Sequence, residues 1–205
     1  MKDLEMECRS TLIRVLGIYA ILGCAAFVTS IFIADFIVPD HDWMADTISD
    51  LGAGKYEFIV DIGIYAFSGA LISIALLSAH LHLGGKRWSV GVVGFAVLGL
   101  IVFLVGARNE YGDSDNEGIV IHRYLVYAIG ALLMALPLLM MDGAKRISDI
   151  YRPVFIAIAV VWTVSAPVFF FLPDGIDGIY ERYLGAIAIF FVCCMAHLFL
   201  RLASK

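Results

Sequence analysis

Serine, histidine, carboxylate and arginine side chains recur in this chain where apolar stretches end, and those are its residues with chemistry to offer. Ser49 and Asp50 lie in Ile48-Ser49-Asp50-Leu51-Gly52, His122 precedes Arg123, Glu181 precedes Arg182, and Asp61 opens another apolar stretch. Ionisable groups at a membrane boundary face the bundle interior and pair with one another, so this set predicts either a site or a system of ion pairs. As a ligand-binding site for a lipid headgroup or small polar molecule, Arg182 and Arg123 contact an anionic group while Asp50 and Glu181 orient them. As a membrane-embedded hydrolase or transferase, His122 serves as general base or metal ligand with Asp50, and Ser49 as nucleophile or ligand orienter. As ion-paired clamps, the same residues hold helix ends together in an accessory subunit of a larger complex.

Metal chemistry asks for three clear protein ligands, and the candidates are His122, Asp50 and His41. That short set favours binding over catalysis. Asp42, Asp46 and Asp50 recur every fourth residue. A helix there would align them as like charges, at about 0.2–0.5 kcal/mol per pair, a penalty that a cation or nearby arginine would reverse. A solvated acidic loop, with Asp40 included, is the plainer reading. His80, His82 and His197 fall at the other ends of their stretches and read as interfacial rings; His80-x-His82 lacks the i, i+4 spacing of a helical metal pair. The four cysteines form no CxxC pair and read as small packing residues. No Walker A motif, dinucleotide fingerprint or GxSxG elbow occurs, so no cofactor is indicated and ATP-driven transport is disfavoured.

The elements that must position these residues are apolar helices. Apolar residues make up 61% of the 205 and charged residues 16%, with a mean hydropathy of +0.92. Soluble domains carry roughly half apolar residues, which makes lipid the expected main solvent. Six apolar stretches run over about 12–38, 58–78, 90–107, 119–140, 154–172 and 184–200. A helix needs about 20 residues to cross the roughly 30 Å hydrocarbon layer, so six crossings and short loops use up the length as one domain. The stretches are too long for barrel strands of about ten residues, and helices satisfy their own backbone in lipid. The expected fold class is therefore all-α, a polytopic six-transmembrane-helix bundle. The first stretch exceeds a signal-peptide core and no small-x-small motif follows it, so it is expected to be retained.

Orientation follows from Lys and Arg in the short loops. Lys2, Arg9, Arg14, Lys86, Arg87, Lys145, Arg146, Arg152, Arg201 and Lys205 fall on one side; Lys55, Arg108, Arg123 and Arg182 fall on the other. Both termini are thus expected in the cytoplasm, with the protein in the cell membrane. The opposite face then carries the Pro39–Gly52 loop, flanked by Asp35 and Asp61. It also carries Arg108, Asn109, Glu110, Asp113, Asp115, Glu117, His122 and Arg123 from a second loop, and Asp174, Asp177, Glu181 and Arg182 from a third. Membrane lipids are the expected partners, and a net charge of −5 argues against nucleic acid. Gly69 and Ser73, Ala131 and Ala135, and Gly91, Gly94, Gly99 and Gly106 suit close helix packing, while Pro167 predicts a kink.

Four short elements together resemble a known family: Ile48-Ser49-Asp50-Leu51-Gly52-Ala53, the glycine-containing Phe58 to Ser78 stretch, Val105-Gly106 with His122 opening the next stretch, and Gly178-Ile179-Tyr180-Glu181-Arg182. The family is that of the uncharacterised bacterial and archaeal integral membrane proteins catalogued as domain of unknown function 998. The Ile-Ser-Asp-x-Gly element also looks like one in the eukaryotic damage-regulated autophagy modulators and the related glycolipid-anchor remodelling membrane proteins. Where those carry a Pro-Glu pair, this chain has Gly54-Lys55-Tyr56-Glu57. The first resemblance implies an integral membrane protein with no established activity and singles out Ser49, Asp50, His122, Glu181 and Arg182. The second adds an analogy to lipid handling.

Overall fold

The computed structural model of the chain describes residues 2–52, 55–107, 117–173 and 175–203, with side chains described from residue 10 and, in the second half, from residue 122. Arg108, Asn109, Glu110, Asp113, Asp115 and Asp174 lie outside the described residues, as do the side chains of Cys8 and Glu117. Among the described residues the secondary structure is all helical. The helices are α1 (Lys2–Ile37), a single turn α2 (Ile48–Leu51), α3 (Glu57–Leu81), α4 (Lys86–Ala107), α5 (Glu117–Lys145), α6 (Tyr151–Ser165) and α7 (Asp177–Ala203), with a 3-10 segment, Ala166–Phe171, continuing α6. Six segments are long and apolar enough to cross a membrane: Ser10–Ile37, Glu57–Leu81, Lys86–Ala107, His122–Lys145, Tyr151–Phe171 and Asp177–Ala203. Even the 22-residue α4 extends about 33 Å at 1.5 Å per residue.

Each long helix begins before its apolar stretch because each added turn continues the i to i−4 ladder through the polar flank. The consequence is largest in α7. It begins seven residues before the predicted stretch, so Glu181 and Arg182 sit inside its first two turns. Pro167 removes a backbone donor, and the chain tightens from α-helix to 3-10 at Ala166, which is the form the predicted kink takes.

Each helix packs on its sequence neighbour, most extensively α1 on α3 and α3 on α4, and α7 returns to pack against α1. Arg14 Nη2 donates to Ala203 O at 3.2 Å, joining the first and last helices at one end of the bundle. The opposite end carries α2. The α4 glycines act as spacers: Gly91 and Gly94 meet Met140 and Leu136 of α5, and Gly99 meets Ile72 of α3. Indole donors tie further pairs, Trp88 Nε1 to Ser78 O at 2.7 Å and Trp162 Nε1 to Gly130 O at 2.9 Å. Packing is thin between α7 and the α5–α6 pair, and a partly open cavity lies there.

Candidate functional site

The connection between α1 and α3 owes its shape to one capping box. Thr47 Oγ1 accepts from Asp50 N at 3.2 Å, and Asp50 Oδ2 accepts from Thr47 N and Thr47 Oγ1, both at 2.7 Å. The box starts a single turn, α2, and gives its side chains separate tasks. Ile48 and Leu51 are buried in a small apolar cluster with Ile31, Ala34 and Val60. Asp50 is occupied by the cap. Ser49 lines the cavity.

No row of like charges forms, because Asp42 and Asp46 precede the four-residue helix and turn to separate partners. Asp42 Oδ1 accepts from Met44 N at 3.0 Å, and Asp46 Oδ2 accepts from Asp42 N at 2.8 Å. A left-handed residue, Asp40 at φ 58°, reverses the chain just before them. His41 thereby turns inward, with Nε2 3.0 Å from Asp35 Oδ1 and Nδ1 3.3 Å from Asp46 Oδ2.

Arg182 closes this group into a clamp. Its Nη2 donates to Asp35 Oδ1 at 2.6 Å, and its Nη1 donates to Asp46 O at 2.9 Å and Gly178 O at 3.0 Å. His41 Nε2 and Arg182 Nη2 share the Asp35 oxygen, which accounts for the 3.2 Å between the two nitrogens. Gly178 admits the loop: a Cβ there would collide with the Asp46 carbonyl. Ile179 N then donates to Met44 O at 3.0 Å. The clamp joins α1, the loop and α7.

On the other side of α7 a second polar group faces space. Glu181 Oε2 accepts from Ile48 N at 2.6 Å, and Ser49 Oγ stands 3.2 Å from Nε2 of the buried His122. Ser49, His122 and Glu181 all line a cavity of about 670 Å³. Its other walls are overwhelmingly apolar: Phe27 of α1, Phe67 of α3, Leu98 and Val102 of α4, Leu133 and Met134 of α5, Trp162 of α6, Phe169, Phe170 and Phe171 of the 3-10 segment, and Leu184 and Ala188 of α7. Thr163, also in the wall, returns its hydroxyl to Ala159 O at 2.7 Å. The cavity is thus polar at the α2 end and greasy beyond it.

Of the residues singled out from sequence, the structure brings Ser49, His122 and Glu181 to this cavity. Asp50 is spent in the cap and Arg182 in the clamp. Arg123 is exposed and Asp61 half-buried on α3, and neither lines the cavity. His41 and His122 belong to different clusters, and among the described residues no three His, Cys, Asp or Glu side chains are grouped to hold a metal ion, so His122, Asp50 and His41 do not form one. Sequence reasoning missed the aromatic walls, Trp162 and the three phenylalanines after Pro167. The helix break at that proline was their one available signal.

Six long apolar helices around a polar-headed cavity define a membrane-type helical protein. Residues 21–198 match the family described as protein of unknown function (DUF998), and the chain belongs to that family. No curated protein and no solved structure matches it, so the likeness to the autophagy modulators and anchor-remodelling proteins rests on the Ile48–Gly52 element alone.

Proposed function

We propose that this chain is a multi-pass cell-membrane protein, with both termini cytoplasmic, that binds a lipid-like amphiphile between α7 and the α5–α6 pair. The observation carrying this reading is the cavity's polarity. One end offers a hydroxyl, an imidazole and a carboxylate, and the remaining walls offer aliphatic and aromatic side chains. An amphiphile matches both ends, with its polar group against Ser49, His122 and Glu181 and its chain along Phe67, Leu133 and Trp162. A volume of about 670 Å³ falls in the range of ligand pockets, roughly 300–1,000 Å³. Loop charge supports the orientation, since Lys and Arg concentrate at the end bearing the termini.

With the anchoring guanidinium of Arg182 held by Asp35, and Arg123 outside the cavity, the polar group of the ligand meets Ser49, His122 and Glu181 and no lysine or arginine among the described residues. Mass spectrometry of chain purified through detergent exchange tests the reading. A stoichiometric amphiphile is expected in the wild type and absent from Gly185→Phe. Gly185 lines the cavity and has open space around the position of a Cβ, so the ring enters the cavity without displacing backbone. Equal retention in both proteins would refute binding in the cavity.

A further inference from the structure

We infer that Ser49 is a nucleophile and that the amphiphile is a carboxylic ester of a long-chain acyl group. The inference rests on the amphiphile-binding reading and adds a reaction to it. Three observations combine. Ser49 Oγ lies within hydrogen-bond distance, 3.2 Å, of His122 Nε2. His122 is buried, at 7% exposure, and lines the same cavity as Ser49, so a ligand seated there meets both side chains. The backbone that carries Ser49 is fixed on both flanks, by Glu181 on Ile48 N and by the Thr47–Asp50 box. Geometry comes first in identifying a nucleophile and its base, and held reach is what catalysis requires.

The chemistry balances with water as the second substrate. With the imidazole proton on Nδ1, Nε2 accepts the Ser49 hydroxyl proton as Oγ bonds to the ester carbonyl carbon. The bond from that carbon to the alkoxy oxygen then breaks, and the leaving oxygen takes the proton from Nε2, releasing an alcohol. Water adds to the acyl group on Ser49, passing a proton to Nε2. Collapse frees the carboxylic acid, and Oγ recovers the proton. An ester and water become an acid and an alcohol, with no oxidant or metal in the balance. The apolar walls fit the acyl chain and the α2 end receives the ester group.

Glu181 is a positioning residue in this scheme: its carboxylate holds the Ile48 amide, one residue from the nucleophile.

The test uses the full chain in lipid nanodiscs and a fluorophosphonate bearing a long alkyl chain, with the adduct located by peptide mass mapping. Phosphonylation of Ser49 in the wild type is expected, lost in Ser49→Ala and slowed roughly a hundredfold or more in His122→Gln, the scale of a lost general base. A long-chain 4-nitrophenyl ester should release nitrophenol and leave an acyl mass on Ser49 in the wild type only. Wild-type chain that retains its amphiphile but carries no adduct on Ser49 overturns the nucleophile and leaves binding intact. Chain that retains no amphiphile and takes no adduct overturns both. Labelling of Ser49 at an unchanged rate in His122→Gln, in protein that still retains the amphiphile, overturns the role of His122.

Discussion

Glu181 and Arg182 are consecutive residues of α7, and they do opposite work. Successive side chains on a helix point about 100° apart. Arg182 turns to α1 and the loop, and Glu181 turns to α2 and the cavity. In the Arg182 group the two terminal guanidinium nitrogens, Asp35, His41, Asp46 and two backbone carbonyls are spent on one another. The Ser49–His122–Glu181 group instead borders open volume. Ionisable residues of similar type at the same depth thus separate into clamp and site by direction alone, a distinction that residue identity does not carry.

The strongest way to break that comparison is to cut the clamp. Arg182→Ala leaves Asp35, at 15% exposure, facing His41 without its guanidinium. Removing one partner of a largely buried pair costs about 3–5 kcal/mol, so a large fall in the thermal unfolding midpoint in detergent is expected. An unchanged midpoint with altered ligand retention would move Arg182 from clamp to site. The next effect is on α2. Thr47→Ala removes the cap at about 1 kcal/mol and loosens the turn that presents Ser49, so amphiphile retention should weaken with a modest loss of stability. The smallest effects belong to groups the structure leaves outside both clusters. Arg123→Ala should stay within about 0.5 kcal/mol of wild type, with ligand retained, as for an exposed residue away from special features. Loss of ligand in that variant would redraw the site.

The helices were legible because hydropathy over some 20 residues responds to lipid directly, and the side of the bundle rich in polar residues followed from the loops. Ser49, His122 and Glu181 could be picked as residues at one end for the same reason. Their separation from Arg182 and Asp50 was not legible in the same way, since it depends on which way each side chain points. Asp50 is the instructive case. The Thr47-x-x-Asp50 spacing of a capping box is present in the sequence, alongside an i, i+4 spacing of acids that would suit a longer helix, and only the box forms. The cavity had no local signal beyond the helix break at Pro167. It arises where α7 fails to meet α5 and α6 closely, a property of helices far apart in sequence.

The same contrast between clamp and site bears on the central claim, that the cavity holds an amphiphile by its polar end. An experimental density map of the chain in lipid nanodiscs tests it most directly. Elongated density between α7 and the α5–α6 pair is predicted, with its polar end within hydrogen-bond distance of Ser49 and His122. A cavity closed by direct packing of α7 on α5, or headgroup density at Arg182 and Asp35 instead, would contradict it.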